Sequence, residues 1–508
     1  MSVLKKNITY NLLGQIIVIP LSFISFKYIY SDLGDDALGL IYFSLMLGTI
    51  FCAALDMGLS KTTVREIAAH HSDEPAYIKK LIQTFSSFYW LAFILLTGLF
   101  VYFLPVIVHS WIKLTAMETK LASYVLLILG ISSLLAIPKM LFMSVCFGLQ
   151  RMDITNAVEV LLMVIQQAGV ILLLMNGNDI IAVAYWMAVI NIMSILVYMV
   201  FISRLLSINV MLPLFSMEVV NRVKQYTSKM AMVSLLLLVH KQLDKVLLSK
   251  FLPIGLLGIY SFSFSVVGKT ALVTGAVAQA VFPSFSEMEK HGEKKELFDK
   301  FTTLQDLLIF GTVPLFAFVV FATLPLFTFL LDADKAQMLQ LPILFLCISF
   351  YFNAALRMLS TYVSATGKPE YIVNVNTFLL IVVTPISVLL IFTFGILGAA
   401  ISWVLYYILS AIYMVPKVYK NELHQSPYLW FKTVMVAVAL ICLAYIPFWH
   451  IASTYFSEDV VSLLLLYVFG TIIYCIVALN CIGNGLRKVI LSYVPAVQVV
   501  MIARAKGG

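Results

Sequence analysis

Residues 243–264 read LDKVLLSKFLPIGLLGIYSFSF, and they echo residues 26–46, FKYIYSDLGDDALGLIYFSLM. Lys245 falls on Lys27, Ser249 on Ser31, and Leu257-Gly258-Ile259 on Leu38-Gly39-Leu40. A second echo lies at nearly the same offset of about 218 residues, where Lys139-Met140-Leu141 with Gly148 and Asn156 matches Arg357-Met358-Leu359 with Gly367 and Asn374. Trp186 against Trp403 agrees with both. Shared spacing of this kind predicts two copies of one unit. Coincidence between low-complexity apolar segments is the competing reading.

The medium in which those units sit follows from composition. The 508 residues are 62% hydrophobic and 11% charged, far more apolar than the roughly half expected of a soluble chain. Apolar runs of about 20 residues, enough to cross the hydrocarbon as helices, recur along the whole length. A spanning barrel would instead show short alternating segments. The chain therefore reads as an all-α integral membrane protein of about fourteen helices. Six are expected over 8–30, 37–59, 85–108, 121–149, 156–175 and 181–202. Six more fall over 229–250, 255–283, 304–331, 338–366, 372–394 and 397–417, and the last two near 430–450 and 461–482.

This grouping predicts an N-terminal lobe over 1–228, a C-terminal lobe over 229–424, and two appended helices with a short tail over 425–508. Both copies enter the membrane from the same side, so their axis would run along the membrane normal, and a substrate site is expected where the lobes meet. The net charge of +8 is a topology signal rather than a sign of a nucleic-acid partner. With the N-terminus inside, Lys61, Arg65, Lys79, Lys80, Arg151, Arg204, Arg222 and Lys224 are among the many basic residues on the cytoplasmic side. Only Lys113, Lys120, Lys250 and Lys335 fall outside. Both termini are expected in the cytoplasm. The inner segments 60–84, 203–228 and 284–303 carry helical spacing and are expected to lie along the membrane surface.

An ionisable group inside a spanning helix is costly unless it faces water or a partner. Lys27, Lys139, Lys241, Asp244, Lys245, Lys269 and Arg357 all fall in such runs. The repeat pairs Lys27 with Lys245 and Lys139 with Arg357. Lys241, Asp244 and Lys245 share a helix face by their three- and four-residue spacing, and Asp244 can neutralise one lysine. The remaining cations suit an anionic headgroup such as a phosphate or diphosphate. The competing reading is that Lys27 and Lys245 snorkel to the interface.

Other motifs carry little. Gly268-Lys269-Thr270 imitates the end of a phosphate-binding loop, but Ser263 stands where its first glycine belongs. The six cysteines lie in apolar runs without metal-ligand spacing and read as small core residues. The seven histidines are dispersed. No catalytic residue, metal or cofactor is expected. Trp111, Trp430 and Trp449, near helix ends, read as interfacial anchors.

With these features in place, the chain resembles the polysaccharide-transporter branch of the multidrug/oligosaccharidyl-lipid/polysaccharide (MOP) exporter superfamily, and in particular O-antigen and capsule repeat-unit flippases of the Wzx type. The resemblance rests on LKKNITYNLLGQ at the start, on LGLIYFSLML followed by Asp56-Met57-Gly58-Leu59 and Arg65-Glu66, and on 243–264. It implies a MATE-like V-shaped bundle in the bacterial inner membrane that flips a polyprenyl-diphosphate-linked oligosaccharide between leaflets. It further implies a cationic cavity, with Lys27, Lys139, Lys245 and Arg357 first and Lys241 and Lys269 behind them. A lipid-tail groove near 430–482 and polysaccharide polymerase machinery as a partner are also implied. Alternatives are a multidrug or cation antiporter, a peptidoglycan-precursor flippase and, from another class, a membrane polymerase or acyltransferase.

Overall fold

The structure is a computed structural model that describes residues 3–56, 58–206, 213–455, 459–483 and 485–487. The expected tail beyond residue 487 lies outside the described residues. Among the described residues the chain is helical throughout, apart from loops and one isolated parallel bridge between Lys113 and Pro253. Helices satisfy every backbone N–H and C=O within the segment, which is what an apolar environment demands. The outward surface agrees, since Leu95, Leu161, Ile381, Leu389 and Leu443 are among many large apolar side chains left exposed.

Contacts divide the chain into two compact units. The first comprises residues 1–262 with 391–396, and the second 263–390 with 397–508. In the first unit the helices are α1 (Val3–Tyr28), α2 (Gly34–Asp56), α3 (Leu59–His70), α4 (Pro75–Val106), α5 (Thr119–Leu134), α6 (Ala136–Gly148), α7 (Met152–Met175), α8 (Ile180–Leu206) and α9 (Met217–Phe251). Here α1 packs on α7, α2 on α5, α5 on α8 and α3 on α6. The helix α10 (Ile254–Gly268) begins in this unit and is followed by α11 (Ala271–His291), α12 (Lys294–Gly311), α13 (Val313–Leu330), α14 (Ala333–Ala365), α15 (Glu370–Asn421), α16 (Tyr428–Tyr455) and α17 (Val460–Cys481). In the second unit α14 is the hub, touching α11, α12 and α13, while α16 pairs with α17.

Among the described residues, ten helices or joined helices are long and apolar enough to cross a membrane, and eleven if α10 and α11, bent by 43°, form one span. Two of these carry backbone breaks, at Gly34 (φ 81°) within 17–56 and at Gly395 (φ 59°) within α15. The expected count of fourteen splits both and adds α9. Several helices overrun their apolar cores. The segment 60–84 yields α3 as a short helix, but α4 begins at Pro75 and α12 at Lys294, so much of the expected surface segments is helix continuous with the spans.

The two echoed stretches approach each other closely at their glycines. A Cβ placed on Gly39 would lie 2.3 Å from the carbonyl oxygen of Ile254, and one on Gly258 would lie 2.9 Å from the backbone nitrogen of Gly39. Small residues permit such contact between membrane helices. The glycines that correspond by the repeat therefore touch each other. Beside them Phe26 stacks on Phe262 with ring centroids 3.7 Å apart.

The expected lobe boundary at 228/229 differs from the contact division, which keeps α9 with the first unit. The reason lies at both ends of that helix. At its start Arg222 makes a two-pronged bond to Glu74 (2.7 and 3.0 Å), Lys80 pairs with Glu218 and Thr62 bonds Thr227. At its end Trp111 donates to Ser249, Lys250 to the carbonyl of Ser110 and Lys113 to the carbonyl of Phe251.

Candidate functional site

In the first unit the cations fall on α1, α6 and α9. Lys27 closes α1 and is half-buried, and Lys245 on α9 is half-buried as well. Both belong to the first unit, whereas the repeat would give one to each lobe. Lys139 projects from α6 between apolar neighbours, and its Nζ sits 2.9 Å from Glu159 of α7. Glu159 also accepts a hydrogen bond from the Tyr198 hydroxyl of α8 at 3.0 Å. The side chains of Lys139 and Glu159 are 20% and 27% exposed, so this is a largely buried ion pair and its cation is neutralised. The chemistry left to it is that of a three-helix clasp.

On α9 the expected common face resolves into different environments. Lys241 is exposed, whereas Asp244 is buried and accepts from the Tyr260 hydroxyl of α10 at 2.8 Å and from the backbone N–H of Lys245. Asp244 thus binds the end of α9 to the start of α10.

In the second unit Arg357 lies on the C-terminal half of α14. Its Nη2 donates to Asn353, one turn earlier, at 3.2 Å, and Asn353 Nδ2 donates to the Tyr407 hydroxyl of α15 at 2.6 Å. The Nε of Arg357 is buried without a hydrogen-bond partner. Trp403 stacks on Tyr407, Phe264 leans on Trp403, and the Tyr406 hydroxyl donates to Asn376 at 2.6 Å. A guanidinium with an open edge beside aromatic rings and amides can bind an oxyanion next to a polar, ring-bearing group. Lys269 is not inside a straight helix, as expected, but at the bend between α10 and α11, half-buried.

Also within the second unit, α13, α14, α15 and α16 enclose a groove of about 680 Å³ lined by Phe316, Ile348, Ile412, Val434, Val438 and Ile446, among other apolar residues. Trp430 lies on this groove. It is 1% exposed and so packs inside the unit, in contrast to the interfacial anchor expected of it, because its ring fits among the apolar residues between α14 and α16. Cys52, Cys146 and Cys347 are buried as expected, but Cys442, Cys475 and Cys481 are exposed on α16 and α17, whose outer faces are apolar.

The profile of the family described as "Polysaccharide biosynthesis protein" matches residues 4–289, more than half of the chain. The chain belongs to this family. Over 412 residues it is 23% identical to a Shigella flexneri protein named "Putative O-antigen transporter", covering 80% of this chain and 96% of that one. Its fold is similar to that of the lipid II flippase MurJ in an inward-closed conformation, with TM-score 0.66 and 14% identity over 92% of this chain and 97% of the other. An inward-facing multidrug-resistance MATE family transporter of the MOP superfamily follows, with TM-score 0.57 and 14% identity over 85% and 98%. A MOP superfamily transporter from Pyrococcus furiosus gives TM-score 0.54 and 14% identity over 86% and 96%. The resemblance drawn from the sequence and the transporter fold it implied are thus borne out.

Asn353 stands one helical turn before Arg357, whereas Tyr198, Tyr407 and Tyr260 carry no signal in the sequence apart from being polar groups within apolar runs.

Proposed function

We infer that this protein is a flippase that moves a polyprenyl-diphosphate-linked oligosaccharide from the inner to the outer leaflet of the plasma membrane by alternating access, for surface polysaccharide biosynthesis. The observation that carries the inference is family membership over more than half of the chain, on a transporter fold that spans nearly all of it. The basic cytoplasmic loops support an orientation with both termini inside. Arg357 is the proposed contact for the diphosphate, with Lys27, Lys245, Lys241 and Lys269 as further cationic contacts. The apolar groove of α13 to α16 is the proposed berth for the polyprenyl chain, which stays in the bilayer while the headgroup crosses. The repeat gives lobes 1–228 and 229–424, and α9 is proposed to move with the first. Polymerase machinery is the proposed recipient of the flipped product, and no catalytic step is assigned to the chain.

A strain lacking the gene and complemented with Arg357→Ala, Lys27→Ala or Lys245→Ala is expected to lose most surface polysaccharide at normal protein levels. Full assembly by all three variants would remove these side chains from the substrate path. A peptidoglycan-precursor flippase would instead rescue cell-wall synthesis and leave surface polysaccharide unchanged.

A further inference from the structure

Lys139 and Arg357 correspond by the internal repeat, yet their surroundings have opposite electrostatics. Lys139 faces a carboxylate. Arg357 faces a carboxamide, and among the described residues no carboxylate pairs with it. We propose that Asn353 and Tyr407 are positioning residues that hold Arg357 oriented and uncompensated for the substrate's diphosphate, a role that its repeat counterpart Lys139 does not share. The inference rests on the flippase reading and deepens it.

A guanidinium has five N–H donors in a rigid fork. Among the described residues the Arg357 side chain makes one hydrogen bond, Nη2 to Asn353 Oδ1, and the buried Nε–H has no acceptor. Buried donors are nearly always paired, so an open one beside a charge marks a place for a missing acceptor.

Asn353 can present either its oxygen or its NH2 to the cation. The Tyr407 hydroxyl, 2.6 Å from Nδ2, takes up the NH2 end and leaves the oxygen facing Arg357. Tyr407 is itself held by Trp403, stacked at 5.9 Å and 26° between ring planes. The guanidinium is thus oriented through two side chains from two helices.

A neutral amide orients Arg357 without cancelling it, whereas Glu159 cancels Lys139. An arginine kept in this way retains an edge whose spacing matches two oxygens of one phosphate.

The test uses the purified full-length protein in detergent, titrated with farnesyl diphosphate and with farnesyl monophosphate, alongside thermal unfolding of each variant. The wild type is expected to prefer the diphosphate, and Arg357→Ala to lose that preference. Tyr407→Phe, which keeps the ring and removes only the hydroxyl, is expected to weaken diphosphate binding by up to about ten-fold, the effect of losing the one hydrogen bond that fixes the Asn353 amide. Asn353→Asp gives Arg357 the kind of partner Lys139 already has. It is expected to weaken the diphosphate by at least about ten-fold while unfolding at the same or a higher temperature. A merely structural role predicts the reverse for Asn353→Asp, namely unchanged binding with a stability gain. That result, or unchanged diphosphate binding by Tyr407→Phe, overturns the proposal and leaves the flippase reading standing. A wild type that does not distinguish diphosphate from monophosphate overturns both.

Discussion

At Lys139 the partner is Glu159, 2.9 Å away, and at Arg357 it is Asn353, 3.2 Å away. Both cations were legible in the sequence as charges in apolar runs, and the repeat gave them equal standing. Their partners separate them: Glu159 comes from another helix, whereas Asn353 stands one turn before Arg357 on α14 and is itself bonded to Tyr407 of α15. Glu159 lies 20 residues on and Tyr198 a further helix away, while Tyr407 lies across α14 and α15. No local spacing encodes the contacts made between helices. The same holds outside the spans, where Glu74 receives both prongs of Arg222 and the Arg222 guanidinium also lies 3.8 Å over the ring of Tyr77. The hydrogen bonds from Arg222 hold the Glu74 carboxyl below its ordinary 4.5, and Glu74 in turn raises Arg222. A carboxyl lowered in the folded state contributes stability above its unfolded pKa, and that contribution is lost as the pH falls through the folded value. Arg222→Gln is therefore expected to unfold at a lower temperature than the wild type at pH 7, and the gap is expected to close as the pH falls below about 4. Melting curves of the two proteins across that range check it, and a gap that stays constant would detach the pair from the stability of α9.

Among the elements, α9 and the start of α10 show why a sequence boundary and a contact boundary differ. The repeat places α9 at the head of the second copy, but its ends are fastened to the loops and helices of the first unit through Glu74, Thr62, Ser110 and Trp111. Helix ends were the least legible part of the sequence for a similar reason. Apolar runs mark where a helix must be, whereas α4 and α12 continue past them on amphipathic turns that no hydropathy window detects. The glycines were the reverse case. Leu38-Gly39-Leu40 and Leu257-Gly258-Ile259 were matched as patterns, and in the fold they lie against each other. A methyl group on Gly39 would sit 2.3 Å from a backbone oxygen, which no side-chain rotation relieves. Gly39→Val is expected to destabilise the protein by at least about 3 kcal/mol, the upper end for overpacking in a tight core. Gly275, around which a Cβ meets nothing within 4 Å, is the control, and Gly275→Ala should leave the melting temperature nearly unchanged. Equal effects at both glycines would remove the close approach from the account.

For the whole molecule, the class of protein was legible from composition and apolar length, and the family from an internal echo joined to a handful of motifs. A lipid-tail groove is the expectation near residues 430–482, and the apolar groove in the second unit, proposed above for that role, draws on α16 but also on α13, α14 and α15, because a concave apolar surface needs walls from several helices. What unites these parts is one claim, that the chain carries an anionic lipid-linked saccharide across the bilayer. The most direct measurement reconstitutes the purified protein into liposomes whose outer leaflet holds a fluorescent polyprenyl-diphosphate oligosaccharide and follows its loss from an impermeant quencher or glycosidase. The account predicts transfer well above that of protein-free liposomes, abolished by Arg357→Ala. Transfer no faster than in empty liposomes, or undiminished in the Arg357→Ala protein, would contradict it.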